Sequence, residues 1–385
     1  MHVSVALVWF RRDLRLQDNP AQQAALDAGH EVVPVYIHAP QEEGEWLPGA
    51  ASDAWRHRSL AALDADLRAR GSALVLRSGE SLATLQALIE QTGAEAVYWN
   101  RKYEPATQPR DATIKRALRE QGIDAQSCNG SLLFEPWDIA TQQGQPYKVF
   151  TPYWRNVLSH WRLPALQAAP KALAAHAVDS LALDDLQLAP TLDWDTGFWE
   201  HWQPGEAGAL EALSVFEDGA LRGYREQRDL PDRVGTSRLS PHLHFGEIAP
   251  WRIAHALEGL RSAGTDADID GYLRQLGWRD FAYHLLHHFP KTPTDNLNPR
   301  FDRFPWATPT AAQLHDWQRG NTGVPIVDAG LRELWHTGYM HNRVRMIVAS
   351  YLCKHLRAHW LQGARWFWDT LVDADLANNT MGWQW

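Results

Sequence analysis

Three stretches of the chain carry residue types whose spacing can hold a ligand. In "YLRQLGWRDFAYHLLHHFP" (272–290), helical periodicity puts Gln275 and Arg279 one turn apart, with Tyr272 three residues before Gln275 and Trp278 three after it. An amide, a cation and two aromatics on one stripe suit a flat heterocycle. The same pattern serves an amphipathic helix whose arginine lays its stem along apolar surface. In "GYREQRDLPDRVGTSRLSPHLHFGEI" (223–248), a helix ends before Pro231, and Gly235 and the hydroxyls of Thr236, Ser237 and Ser240 follow. Hydroxyls beside free backbone N–H groups bind phosphate, and they cap helices equally well. In "TGYMHNRVRMIVASYLCKHL" (337–356), Asn342, Arg345 and Met346 share a face at the head of an apolar helix. Arg345 needs an anion there. Asp373 and Asp375 of "DAD" offer two, one for an ion pair and one for a ligand. The last stretch, "LANNTMGWQW" (376–385), ends on Trp383 and Trp385, apolar rings that want a buried surface or a stacking partner.

These residues need a scaffold, and the first third of the chain reads differently from the last. "VSVALVWF" (3–10), "EVVPVYI" (31–37), "ALVLR" (73–77), "AEAVYW" (94–99) and "IDAQSC" (123–128) read as buried strands. Helical stretches such as 53–70 and 110–122 lie between them, which implies βαβ units on a parallel sheet. The turn after the first strand, "RRDLRLQDNP", lacks G-x-G-x-x-G, so a glycine-cradled dinucleotide and a dehydrogenase are excluded. Residues 131–204, rich in Ala, Pro and Asp, read as a connector between an α/β domain at 1–130 and an all-helical domain at 205–385. Glu206 falls in the first turn after Pro204, where a carboxylate suits the helix dipole. The expected fold is thus α/β, Rossmann-like without the glycine fingerprint, followed by an all-α domain.

Composition sets the outer bounds. With 45% hydrophobic and 22% charged residues the chain is globular. The arginines follow the first apolar run rather than preceding it, which argues against a secretory signal. No apolar run approaches the roughly 18 residues of a membrane span. Two distant cysteines, Cys128 and Cys353, make no disulfide framework, so a reducing cytoplasm is expected. The formal charge of −9 leaves nucleic-acid binding to a local basic patch. The outlier is tryptophan: 20 of them, against 10 Tyr and 11 Phe, with packing the explanation for most individual rings.

Together, "WFRRDLRLQDN" (9–19), "NRKYEP" (100–105), "GTSRLSPHL" (235–243), "WRDF" (278–281), "MHNRVRM" (340–346) and "DADLANN…GWQW" (373–385) resemble the DNA photolyase/cryptochrome family over nearly the whole chain. The resemblance implies an antenna domain joined to a helical domain that holds FAD. Tyr224, Thr236, Ser237 and Ser240 match flavin-phosphate positions. Gln275, Arg279, Arg345, Asp373 and Asp375 match cofactor-contacting positions, and Asn379 matches the residue beside flavin N5. Trp383, Trp360 and Trp306 match a chain of rings that carries electrons from the surface to oxidised flavin. Trp278 and Trp385 match rings that pack on a flipped-out pyrimidine dimer. Gln275, Asn342 and Met346 line its pocket, and Arg228 and Arg343 match contacts to DNA phosphates. The implied activity is light-driven repair of UV-damaged DNA by a monomer: an excited reduced flavin gives one electron to the dimer, which splits and returns it. No metal is implied.

Some positions depart from the family. Position 275 is Gln where many dimer-specific relatives carry Glu, so a negative charge is lost there while hydrogen bonding is kept. Relatives that bind folate carry an Asn-Glu pair after "YE"; Ala106 and Thr107 stand here, which leaves a deazaflavin, another flavin or no antenna. Family members also continue past Trp-Gln-Trp with further helical segments. Two rivals are weaker. A 6–4 photoproduct enzyme wants a proton donor where Met346 stands, and a thioether cannot donate. A plant-type signalling cryptochrome carries Asp where Asn379 stands.

Overall fold

A computed structural model describes residues 4–384 of the chain; Trp385 lies outside the described residues. Five strands, β1 (Val5–Phe10), β2 (Glu31–His38), β3 (Val75–Ser78), β4 (Ala96–Asn100) and β5 (Asp124–Cys128), form one sheet in the order β3-β2-β1-β4-β5. Every pairing is parallel: Val5 opposite Glu31, Val35 opposite Val75, Ala6 opposite Ala96, Ala96 opposite Asp124. The expected strands match these five.

Four helices cross over: α1 (Pro20–Asp27), α2 (Ala50–Arg68), α3 (Ser81–Thr92) and α4 (Thr107–Glu120). The β-branched runs are buried on both faces, as a parallel sheet demands. Leu7, Trp9, Val33, Val35, Val97 and Trp99 pack against Leu85, Leu88, Ile114 and Leu118 of α3 and α4. Ala6, Val8 and Phe10 pack the other way, with Trp55 and Leu63 of α2. That second core runs on into Phe198, Trp202, Phe245, Tyr339 and Val372, so the sheet and the helical half share one hydrophobic body.

The stretch 131–204 is less featureless than expected. It contains α5 (Phe150–Ser159), whose Phe150, Tyr153, Trp154 and Val157 repeat at helical spacing and are buried. Downstream the chain is irregular but fastened: Leu173 N–H donates to the Arg70 carbonyl (2.8 Å), and Leu181 N–H to the Leu76 carbonyl (3.0 Å).

The helical half comprises α6 (Glu206–Asp218), α7 (Tyr224–Gln227), α8 (Ser240–His244), α9 (Pro250–Gly259), α10 (Asp266–His288), α11 (Ala311–Gln318), α12 (Pro325–Thr337), α13 (Asn342–Ser350), α14 (Trp360–Thr370) and α15 (Leu376–Gln384), with a π-helical turn at Tyr351–His355. Glu206 does more than face its own helix dipole: its carboxylate accepts from Leu16 N–H (2.8 Å) and Gln17 N–H (3.1 Å), tying the loop after β1 to α6. Gly246 lies against the same loop at φ +65°, where a Cβ would stand 2.2 Å from the Arg12 carbonyl oxygen. Only glycine satisfies both the left-handed backbone and the close approach. Among the described residues no helix is long and apolar enough to cross a membrane, and no His/Cys/Asp/Glu cluster could hold a metal.

Candidate cofactor and nucleic-acid site

The sharpest feature of the helical half is a carboxylate shared by three segments. Asp373, in the turn between α14 and α15, accepts through one oxygen from Ser240 Oγ at the start of α8 (2.6 Å) and from Arg345 Nη2 on α13 (2.8 Å). Arg345 also donates Nε–H to the Met340 carbonyl (2.7 Å), and its guanidinium lies over the Tyr339 ring at 5.2 Å. Burial disfavours the Arg345 charge, but Asp373 more than offsets it and raises its pKa. The Asp373 side chain is nearly closed off from solvent, yet its second oxygen has no donor. A buried acceptor left open costs free energy unless a ligand supplies the hydrogen.

Asp375 is built differently. Its carboxylate accepts from the Tyr283 hydroxyl, Asn378 N–H (2.9 Å) and the Asn378 side-chain amide (2.7 Å), and it faces His244 Nδ1 at 3.7 Å. Burial pulls its pKa up. The facing His244 and the nearby Arg279 and Arg12 overcome that and hold it well below the usual carboxylate range. Asn379 points its amide at the Ala364 carbonyl (3.1 Å), and its backbone N–H donates to the Asp375 carbonyl (2.8 Å).

The flanking residues converge here from other segments. Arg279 on α10 donates to the carbonyls of Ser131 (2.5 Å) and Leu243 (3.4 Å). Ser237 Oγ is 2.9 Å from the Tyr272 hydroxyl. Tyr224 is buried edge-on to Phe216 and Tyr272. Thus the hydroxyl loop, the α10 stripe and the α13 head, distant in sequence, meet at Asp373 and Tyr272. Gln275 is the exception: its amide turns back to the Gly271 carbonyl of its own helix (3.1 Å).

Trp360, Trp383 and Trp306 pack in one apolar cluster. Trp383 stands edge-on to Phe367 (5.0 Å) and presses on Gly363, where a Cβ would lie 2.1 Å from its ring. Trp360 is buried and donates Nε1–H to Asn296 Oδ1 (2.9 Å). Half-buried Trp306 reaches it through His359, 5.0 Å on one side and 5.6 Å on the other.

On the exposed side, Arg343 donates Nε–H to Asp229 (2.9 Å), and the same carboxylate lies 3.6 Å from Arg228 Nε. Arg343 also points toward the Met346 sulfur (3.4 Å), and Met346 itself is exposed. Asn342 opens α13, whose first turn is capped by His341 Nδ1 accepting from Arg343 N–H (3.2 Å). Trp278 stacks face to face on Phe150 of α5, with centroids 3.6 Å apart and planes 9° apart.

A second concavity opens where the C-terminal ends of β1 and β2 meet α14 and α15. Trp9, Trp46, Trp368, Arg11, Arg56 and Lys102 contribute to its walls. The ring N–H groups of Trp9 and Trp46 and the Nε–H of Arg11 are buried there without acceptors. Burial pushes Lys102 down to about 7 despite its pairing with Glu43.

Sequence reasoning missed Tyr339, Tyr283, His244 and Phe150. Tyr283 was legible as the i+4 neighbour of Arg279 on α10. Phe150 was legible from the spacing 150, 153, 154, 157. Tyr339 and His244 carry no local signal, since their partners arrive from other segments.

Family models match two parts of the chain: that of the DNA photolyase domain at residues 6–173, and that of the FAD-binding domain of DNA photolyase at residues 272–385. A deoxyribodipyrimidine photo-lyase of Agrobacterium fabrum is 47% identical over 382 residues, covering 98% of this chain and 79% of the relative. Cryptochrome-2 of Arabidopsis thaliana is 38% identical over 399 residues, covering 98% of this chain and 64% of the relative. The crystal structure of a bacterial class III photolyase from Agrobacterium tumefaciens superposes with a TM-score of 0.95 at 46% identity, covering all of this chain and 80% of that one.

Proposed function

This chain belongs to the DNA photolyase/cryptochrome family, and from that premise we propose that it is a deoxyribodipyrimidine photolyase, which splits cyclobutane pyrimidine dimers in UV-damaged DNA under blue light. The observation that carries this reading is the convergence of Ser240 and Arg345 on one oxygen of Asp373, with the other oxygen of Asp373 buried and open. A flavin's ring N–H or ribityl hydroxyl is a donor of the kind that oxygen lacks. FAD in its reduced form supplies the light-driven electron that breaks the dimer.

The chain's own residues then divide the remaining work. Tyr224, Thr236, Ser237 and Ser240 hold the phosphate end. Arg279, Arg345, Asp373, Asp375 and Asn379 surround the ring system, and the buried Arg345–Asp373 pair fixes its orientation. Gln275, Trp278, Asn342 and Met346 receive the flipped-out pyrimidine dimer, with Arg228 and Arg343 on the flanking phosphates. Trp383, Trp360 and Trp306 form the path by which oxidised cofactor is recharged from the surface. Residues 1–130 serve as the antenna domain, 131–204 as connector and 205–385 as the catalytic domain. The second concavity, with its three open N–H donors, is where an antenna chromophore rich in acceptors would sit.

The test is direct. UV-irradiated oligothymidylate is incubated with FAD-loaded, reduced protein in blue light and in the dark. Dimers should disappear only in the light. Persistence of dimers in the light, with flavin bound and reduced, would contradict this reading and leave the photoreceptor and the 6–4 photoproduct enzyme.

A further inference from the structure

The arginines that the family pattern assigns to phosphate share Asp229 between them, so part of their charge is already cancelled. Arg274 differs. It lies on α10 immediately before Gln275 and four residues before Trp278, so it shares the Trp278 face. It is exposed, and no carboxylate of the described residues lies within ion-pair distance of it. Its guanidinium sits over the Phe150 ring at 5.0 Å, and Phe150 stacks on Trp278. Buried Phe150 thus touches both the cation and the indole.

We infer that Arg274 is a DNA-phosphate contact and that Phe150 is the positioning residue for both Arg274 and Trp278. This rests on the reading of Trp278 as a wall of the lesion pocket. Phe150 covers one face of the indole, which holds Trp278 in place before DNA arrives. A ring already fixed loses less freedom on stacking. The attraction between a guanidinium and a ring face holds Arg274 at the rim of the pocket while its N–H edges stay in water. A phosphate flanking a flipped nucleotide passes along that rim. A side chain that merely shields Phe150 would have no reason to lack an acidic partner on a surface where Arg228 and Arg343 have one.

The experiment titrates dimer-containing and undamaged duplex across a salt series with FAD-loaded wild type, Arg274→Gln, Arg274→Lys, Phe150→Leu and Arg343→Ala. Arg274→Gln should lower the salt slope by about 0.9, the amount for one phosphate, and weaken both duplexes about fivefold at low salt. Arg274→Lys should restore the slope, because a phosphate contact needs charge whereas shielding needs only bulk. Phe150→Leu should weaken dimer-containing DNA about tenfold and undamaged duplex little, the scale of one lost base–aromatic stack. The flavin spectrum should be unchanged in all of them. If Arg343→Ala lowers the slope and Arg274→Gln does not, the inference about Arg274 fails while the DNA reading stands. If neither changes the slope, the phosphate-binding face has been misplaced altogether. Should Phe150→Leu weaken both duplexes equally, Phe150 has only a packing role.

Discussion

The Asp373 site and the concavity at the sheet edge leave opposite kinds of buried atom open. At Asp373 the open group is an acceptor, a carboxylate oxygen beside a guanidinium already engaged elsewhere. In the concavity most of the open groups are donors, two indole N–H groups and one guanidinium N–H, beside His244 Nδ1 and a Glu104 oxygen that faces Arg12. Buried polar atoms are nearly always paired, so each set describes what is missing. The first calls for a ligand that donates, the second for one that accepts.

The largest effect that could break this contrast is Asp373→Asn. Arg345, partly exposed, would then lose its anion, a loss of about 1.5–3 kcal/mol. The purified variant should be almost free of flavin, measured by absorbance after gel filtration. A variant that keeps full flavin content would mean Asp373 does not face the cofactor.

Acid offers the next test. The His284 ring donates Nδ1–H to the Pro136 carbonyl (2.9 Å) and accepts at Nε2 from Tyr147 N–H (3.0 Å), which requires the neutral imidazole. Burial pushes its pKa down to about 4. A group whose folded pKa is depressed binds fewer protons in the folded state. Its contribution, about 2–3 kcal/mol, is therefore present above the unfolded value near 6.5 and is lost as pH falls toward 4. Urea midpoints between pH 7 and 4 should drop for the wild type, and the drop should be shallower in His284→Gln. Equal slopes would remove His284 from the account.

Trp306→Phe should slow photoreduction of oxidised flavin by at least about tenfold, a barrier change of roughly 1.4 kcal/mol. Repair by chemically reduced protein should continue, since that electron travels from flavin to lesion. Equal loss of both would sink the assignment of these rings. The smallest effect expected is in the concavity. Trp46→Phe removes one N–H donor worth about 1 kcal/mol. It should weaken added FMN about fivefold in FAD-loaded protein, with FAD content unchanged.

The strands and the long crossover helices were legible because each is specified locally, by β-branched runs and a 3.6-residue period. The Arg345–Asp373 pair was also legible, since a cation at the head of an apolar helix demands an anion. The shared oxygen was not. Ser240 and Arg345 lie 105 positions apart, and only the fold brings both to one atom. Gln275 shows the converse, a residue whose type promised an outward contact and whose amide folds back onto Gly271. Helix α5 was hidden by the Ala- and Pro-rich sequence downstream of it, although its own apolar spacing is regular.

The most direct measurement is dimer loss per bound FAD, in blue light and in darkness, over preparations whose flavin occupancy is varied by reconstitution. Repair should rise in proportion to reduced FAD and vanish in the dark at every occupancy. Fully occupied, reduced protein that binds dimer-containing DNA yet leaves the dimers intact under blue light would contradict the assignment as a repair enzyme.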